Sequence, residues 1–333
     1  MTSPQTRRRF LAGLSLAGTG VLFPASPPAW AQESPETHSI RFAKNASICI
    51  FPQLFLQAML RAEGFTEIGY VEAESAARTL EPLGRGAADF AISFALPEIL
   101  EIEAGSSSIT ILGGVHAGCY ELFARNGISS VSQLKGRSVG LETGSPALLS
   151  LMAANVGLDP KNDFRWLTDR KLKPLELFAE GKIDAFLGFP PEPQELHARG
   201  VGHVIVSTAA DRPWADYYSC MLAGNANFVR KNPVATKRVL RAVLKTTDLC
   251  VTDPAGAARQ LVEGGFTSRY DYAFATLKNN PYDKWREYDP NDTIRFYGLR
   301  AREAGMIKMN PQKIIADNTD WRFFNELRRE LKA

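Results

Sequence analysis

Short apolar runs alternate along the chain with stretches whose apolar positions recur at helical spacing. Residues 40–44, 68–72, 89–94 and 109–115 read as strands, and 52–62, 76–84 and 97–104 between them as helices. The alternation restarts near Val131, with strands predicted over 138–141, 164–167 and 185–189 and helices over 145–155 and 174–179. After Tyr217 the pattern is mostly helical to the end, and a helix over 233–250 carries Val239, Leu240, Val243 and Leu244 on one face. Strands alternating with helices predict an α/β fold of two lobes, each a mostly parallel sheet flanked by helices.

The two lobes echo each other. The stretch 80-LEPLGRGAADFAISF-94 aligns without a gap on 175-LELFAEGKIDAFLGF-189, so that Leu80, Glu81, Gly86, Asp89 and Phe94 fall on Leu175, Glu176, Gly181, Asp184 and Phe189. In each copy a helix ends on a glycine able to take positive φ, an aspartate leads into a buried strand, and the strand ends on a phenylalanine. The first strand of each lobe also runs into a helix that starts at Ser47 or Ser145.

In open α/β sheets ligands bind beyond the carboxyl ends of the strands, so two such lobes face each other across a cleft. The strand-end residues are then the candidate ligand site. They are Asn45, Ser47, Glu74, Ser75, Ser93, Phe94 and His116 in the first lobe, and Thr143, Gly144, Ser145, Asp169, Arg170 and Phe189 in the second. The run 141-LETGSPALLSLMAANVGL-158 has a specific chemistry. A helix start leaves backbone N–H groups unpaired and partly positive, so it holds an anion without a basic side chain. Thr143 and Ser145 add hydroxyls, Gly144 lets a ligand come close, and Pro146 fits the first turn. The alternative is an ordinary N-cap, with Ser145 bonding its own helix.

Other candidates carry two readings each. Phe94 and Phe189 line the cleft or fill the core, and Arg170 meets ligand or is a solvated charge paired with Asp169. His116 is a ligand contact or a structural histidine. Trp214, in 213-PWADYYSC-220, is hinge packing or a cleft wall.

Composition narrows the picture. A chain of 333 residues, 45% of them hydrophobic, is long enough for about two domains. Residues 1–31 read as an export signal: 6-TRRRFLAGLSLAGTGVLF-23 is a basic start followed by a short apolar run, and 29-AWA-31 is a cleavage site. The Thr6-Arg7-Arg8-Arg9-Phe10-Leu11 segment resembles the twin-arginine signal, with a basic Sec signal as the alternative. The apolar run falls short of the roughly 20 residues a membrane span needs.

Arg7, Arg8 and Arg9 hold all the charge of that leader. Of 39 Lys and Arg, 36 remain beyond it, against 36 Asp and Glu. A neutral body carries no electrostatic footprint for nucleic acid or anionic membrane. Cys49, Cys119, Cys220 and Cys250 are far apart and show no C-x-x-C spacing, which predicts buried thiols, no metal, and a pairing that spacing leaves open. No nucleophile elbow, phosphate loop or zinc-protease motif occurs. In 113-GGVHAGCYELF-123, His116 and Cys119 could pair as base and nucleophile, but no third group orients them. The expectation is a binding protein, with no catalytic residues and no cofactor.

The segments 134-LKGRSVGLETGSPALLSLMAANVGLDP-160, 178-FAEGKIDAFLGFPPEP-193 and 228-FVRKNPVATKRVLRAVL-244 resemble, in this order, the periplasmic substrate-binding proteins of nitrate, sulfonate and taurine ABC importers. That group includes binders of thiamine-precursor pyrimidines. The resemblance implies a two-lobe type II binding protein, with 38–122 plus 218–333 as lobe one and 123–217 as lobe two. The chain would cross between lobes near 123–130 and 217–220.

The resemblance further implies a monomeric periplasmic protein whose cleft closes on a ligand before docking on a permease driven by a separate ATPase. In such proteins the helix start after the second lobe's first strand binds the ligand's acidic group, which carries over to Thr143, Gly144 and Ser145. The expected ligand is a small organic anion, a sulfonate, carboxylate or pyrimidine-like compound. Arg170 would add to the anion site, and Phe94, Phe189 and Trp214 would meet its apolar body. The alternatives are a periplasmic enzyme on the same scaffold and a sensing subunit that presents its closed form to a receptor.

Overall fold

Apolar strands that are covered on both faces organise this chain. A computed structural model describes residues 33–44, 47–74, 78–105, 108–142 and 145–331. Asn45, Ser75, Thr143, Gly144 and the expected export signal lie outside the described residues. Ten strands follow in order: β1 Ser39–Lys44, β2 Glu67–Glu72, β3 Phe90–Phe94, β4 Ile109–Ala117, β5 Glu121–Ala124, β6 Arg137–Gly140, β7 Phe164–Leu167, β8 Ala185–Gly188, β9 His203–Ser207 and β10 Tyr218–Asn225. They form two five-stranded sheets of the same layout, β2-β1-β3-β10-β4 and β7-β6-β8-β5-β9. Helices flank both, within one compact unit, Pro35–Ala333.

Each sheet is mixed. β1 runs parallel to β2 and β3, and β6 runs parallel to β7 and β8. An antiparallel strand sits inside each sheet, β10 between β3 and β4 and β5 between β8 and β9. Four of the five strands in each sheet run the same way, as expected of mostly parallel sheets, with β10 or β5 running against them; the expectation of a mostly helical chain beyond Tyr217 misses β10. The cause is burial: all eight residues of β10 are buried, so no polar alternation marks it as a strand. The chain also leaves the first sheet at 118–120, earlier than the 123–130 implied by the resemblance, because Glu121–Ala124 already pairs in the second sheet. It returns through 208–217.

The internal repeat has a structural meaning. Gly86 and Gly181 both take positive φ, 73° and 81°. Asp89 and Asp184 do more than lead into a strand. Asp89 Oδ2 accepts the Arg41 backbone N–H at 2.8 Å, and Asp184 Oδ2 accepts that of Ser138, also at 2.8 Å. In each lobe a carboxylate clamps the third strand to the first, where the parallel ladder begins.

The helical C-terminal part packs on the first sheet. The Pro233–Thr252 helix buries Val239, Leu240, Val243 and Leu244, as its periodicity predicts. Its Arg241 meets Glu63 at 2.9 Å, both nearly buried, and Lys245 meets the same carboxylate at 3.1 Å. Among the described residues no helix is long and apolar enough to cross a membrane.

Candidate functional site

The two segments that join the sheets are bound to each other. The Tyr120 N–H donates to Thr208 Oγ1 at 2.9 Å, and the Thr208 N–H donates to the Tyr120 carbonyl at 2.9 Å. At Gly118, with φ 71°, an added Cβ would come within 2.7 Å of the Ala209 Cβ, so glycine lets the two segments touch. This is a short double hinge at the level of the strand ends.

Tyr120 links the two lobes. Its ring centroid lies 5.3 Å from that of Phe94, at the end of β3, and 4.8 Å from that of Phe189, just after β8. Phe94 in turn meets Tyr297 edge-on at 5.3 Å. The repeated phenylalanines are buried, but they are not separate core residues, since they converge from both lobes on one aromatic side chain. Burial pushes the Tyr120 phenol well above its ordinary range, so it is a neutral hydroxyl, although the Ser145 backbone amide, as its hydrogen-bond partner, pulls the other way. Ser145 is the N-cap of the Pro146–Asn155 helix, and its side chain makes no capping bond. A helix N-terminus therefore points at the aromatic run. That helix also touches the Ala95–Glu103 and Pro290–Glu303 helices of the first lobe.

Beside the hinge lies an open cavity of about 410 Å³. Cys119, Tyr120 and Glu121 form part of its wall, with Gln194 and His197 from the second lobe and Tyr272 and Asn280 from the first. This volume is within the range of small-molecule sites.

The other expected residues are dispersed. Ser47 is buried at the head of the Ile48–Ile50 turn. Glu74 is exposed and ion-paired with Arg78. Arg170 is exposed at the start of the Arg170–Leu172 turn, where Asp169 accepts the Lys171 N–H at 2.9 Å. Trp214 is buried in the return segment against Phe296, 5.7 Å between ring centroids.

His116 is fully buried and turned toward thiols. Its Nδ1 lies 3.0 Å from the Ala117 carbonyl, which only accepts, so Nδ1 carries the proton and Nε2 is left as a lone pair. A His116 ring nitrogen, Cys49 Sγ and Cys220 Sγ all lie within 4.8 Å of one another. Cys119 lies near this group but hydrogen-bonds Ser219, Sγ to Oγ 3.1 Å, so it is Cys220 rather than Cys119 that His116 faces. All four cysteines are free thiols. Burial pushes the Cys49 thiol up; for Cys119 burial acts in the same sense, but hydrogen bonds from Cys220, Cys49 and Ser219 outweigh it and hold the thiol below its ordinary range.

Tyr120 and the thiol cluster were not in the sequence-derived site. For Tyr120 the available signal was its position between two strands that each end on a repeated phenylalanine. The cysteines come from separate elements, so their spacing carried no signal.

A family model described as NMT1/THI5 like matches residues 61–257, more than half of the chain. Among solved structures the chain is similar to the periplasmic nitrate-binding protein NrtA from Synechocystis PCC 6803, at 14% identity and a TM-score of 0.73, covering 90% of each chain. It is similar to the alkanesulfonate-binding protein SsuA from Xanthomonas axonopodis pv. citri bound to MOPS, at 17% identity and a TM-score of 0.63, covering 86% of this chain and 99% of that one. It is also similar to a DSZB cysteine-to-serine mutant in complex with biphenyl-2-sulfinic acid, at 13% identity and a TM-score of 0.58, covering 88% of this chain and 99% of that one. At these identities the likeness carries the fold, which is that of periplasmic binding proteins. No curated protein matches the sequence significantly.

Proposed function

The chain belongs to the NMT1/THI5-like family, and on that premise we propose that it is the solute-binding component of an ABC importer, capturing a small organic anion between its lobes. The observation that carries this reading is the Ser145 amide, at a helix N-terminus, aimed at an aromatic run that spans both lobes. A fixed amide suits an oxyanion, and stacked rings suit the apolar or aromatic body attached to it. Nitrate, an alkanesulfonate and biphenyl-2-sulfinic acid, the compounds in the relatives' names, share that oxyanion chemistry.

In this reading Thr143 and Gly144 complete the anion pocket with Ser145. Trp214, buried against Phe296, braces the return segment. Closure rotates the lobes about 118–120 and 208–217, which needs only a few residues to absorb the change. Export to the periplasm by the twin-arginine route, a monomeric state, and docking of the closed form on a permease and its ATPase are part of the same proposal.

Two measurements test the role. A strain lacking this chain loses uptake of the bound anion and regains it with the wild-type chain; unchanged uptake contradicts the importer reading. After prolonged incubation the anion recovered from the protein has its original mass. Turnover would instead support an enzyme, for which Cys119 on the cavity wall is the candidate nucleophile.

A further inference from the structure

We propose that Cys49, His116, Cys119 and Cys220 form a buried zinc site next to the hinge. Three donor atoms are already gathered: Cys49 Sγ, a His116 ring nitrogen and Cys220 Sγ, all within 4.8 Å of one another. Around a tetrahedral zinc such atoms stand roughly 3.4–3.8 Å apart, given Zn–S near 2.3 Å and Zn–N near 2.0 Å. A contraction of about 1 Å by side-chain rotation brings them there. Cys119 stands outside that group of three, its Sγ 3.1 Å from Ser219 Oγ, and is the nearby thiol that would turn in as the fourth donor. Three thiolates and one imidazole make a closed set of the kind that holds zinc structurally.

His116 is prepared for this role. Its Nδ1–H is committed to the Ala117 carbonyl, the kind of outer bond that fixes a metal-binding histidine. Its Nε2 is buried, has no hydrogen-bond partner, and faces Cys220 without a regular hydrogen bond. An unpaired ring nitrogen at this depth is costly unless something fills the gap. Glu98 is a second anomaly at the same place. Both its carboxyl oxygens are buried without partners and it neighbours Cys220. Cys119 also holds φ 121°, strained for any residue with a Cβ.

The donors belong to four places in the chain: the Ile48–Ile50 turn, the end of β4, the first crossing segment, and β10 just after the second. Zinc would therefore pin both crossings to the first sheet and set the base about which the lobes turn. Loading exchanges the thiol protons for the metal, so it releases protons and weakens in acid.

The test uses the full chain, reduced and stripped with a chelator, with zinc alone as the probe and a chromogenic chelator as competitor. Wild type and Cys250→Ser are expected to take up about one zinc per chain. Cys49→Ser, Cys220→Ser and His116→Gln are expected to lose it at the same competitor concentration. Cobalt in wild type is expected to give intense thiolate-to-metal charge-transfer bands, a readout that does not depend on any variant folding. The proposal is overturned if reduced wild type takes up no zinc, if its cobalt form lacks those bands, or if Cys49→Ser and Cys220→Ser hold zinc as tightly as wild type. It is also overturned if protein isolated from the periplasm carries a disulfide among Cys49, Cys119 and Cys220.

Discussion

Tyr120 holds together more of this molecule than any residue named in the sequence-derived site. Its backbone pairs the two crossings through Thr208, its ring lies between Phe94 and Phe189, and its hydroxyl holds the Ser145 amide. A ligand oxyanion that takes that amide must displace the hydroxyl. Tyr120→Phe removes the competitor and is expected to tighten binding of the anion severalfold, by about 1 kcal/mol, in a calorimetric titration. Weaker binding would mean that the hydroxyl donates to the anion instead.

Asp184 allows a second prediction at this scale. Burial works to raise its pKa, but the Ser138 hydroxyl and amide, with Arg137 and Arg165, hold it below the usual carboxylate range. A depressed folded pKa adds stability that is present above the unfolded value near 4 and is lost as pH falls through the folded one. Asp184→Asn is expected to cost about 1–3 kcal/mol by urea unfolding near pH 7, with the gap closing below about pH 4. A gap independent of pH would rule out the charged clamp. The aspartates were visible in the sequence as a repeat, but their role was not. Only the fold reveals that each carboxylate reaches a backbone N–H on a strand more than forty residues away.

At the scale of elements, legibility followed burial. Strands with a polar neighbour on each side, such as Phe164–Leu167, and helices with a clear apolar face, such as Pro174–Ala179, have the bounds their patterns predict. β10 hid because both its faces are covered, and β5 because four residues are too few for a period to show. The cysteine spacing hid their proximity for a related reason: thiols brought together by turn, strand and crossing segment leave no local motif.

The seam between the N-terminal and C-terminal parts of the first lobe is equally nonlocal. Glu63 follows the Gln57–Ala62 helix and meets Arg241 and Lys245 on the Pro233–Thr252 helix. Removing one partner of a buried pair strands the other charge, so Glu63→Ala is expected to destabilise the protein by about 3 kcal/mol. A loss under about 1 kcal/mol in equilibrium urea unfolding would mean that Glu330, 3.2 Å from the Arg241 guanidinium, compensates.

For the whole molecule, two sheets of one layout are joined by two short crossings: β5 opens the second sheet directly after the first crossing, and β10 returns to the interior of the first sheet after the second. The second sheet is built entirely between the two crossings, whereas the first is incomplete until β10 returns to it. The sharpest test is thermal unfolding of the full chain against sulfonates, carboxylates and pyrimidines, with neutral sugars and amines as controls. A ligand that binds only the folded state, at about 100 times its dissociation constant, adds about 2.7 kcal/mol of stability. At least one organic anion is expected to raise the melting temperature by several degrees while the neutral and cationic compounds leave it unchanged. Stabilisation by sugars or amines, with none by anions, would contradict the account.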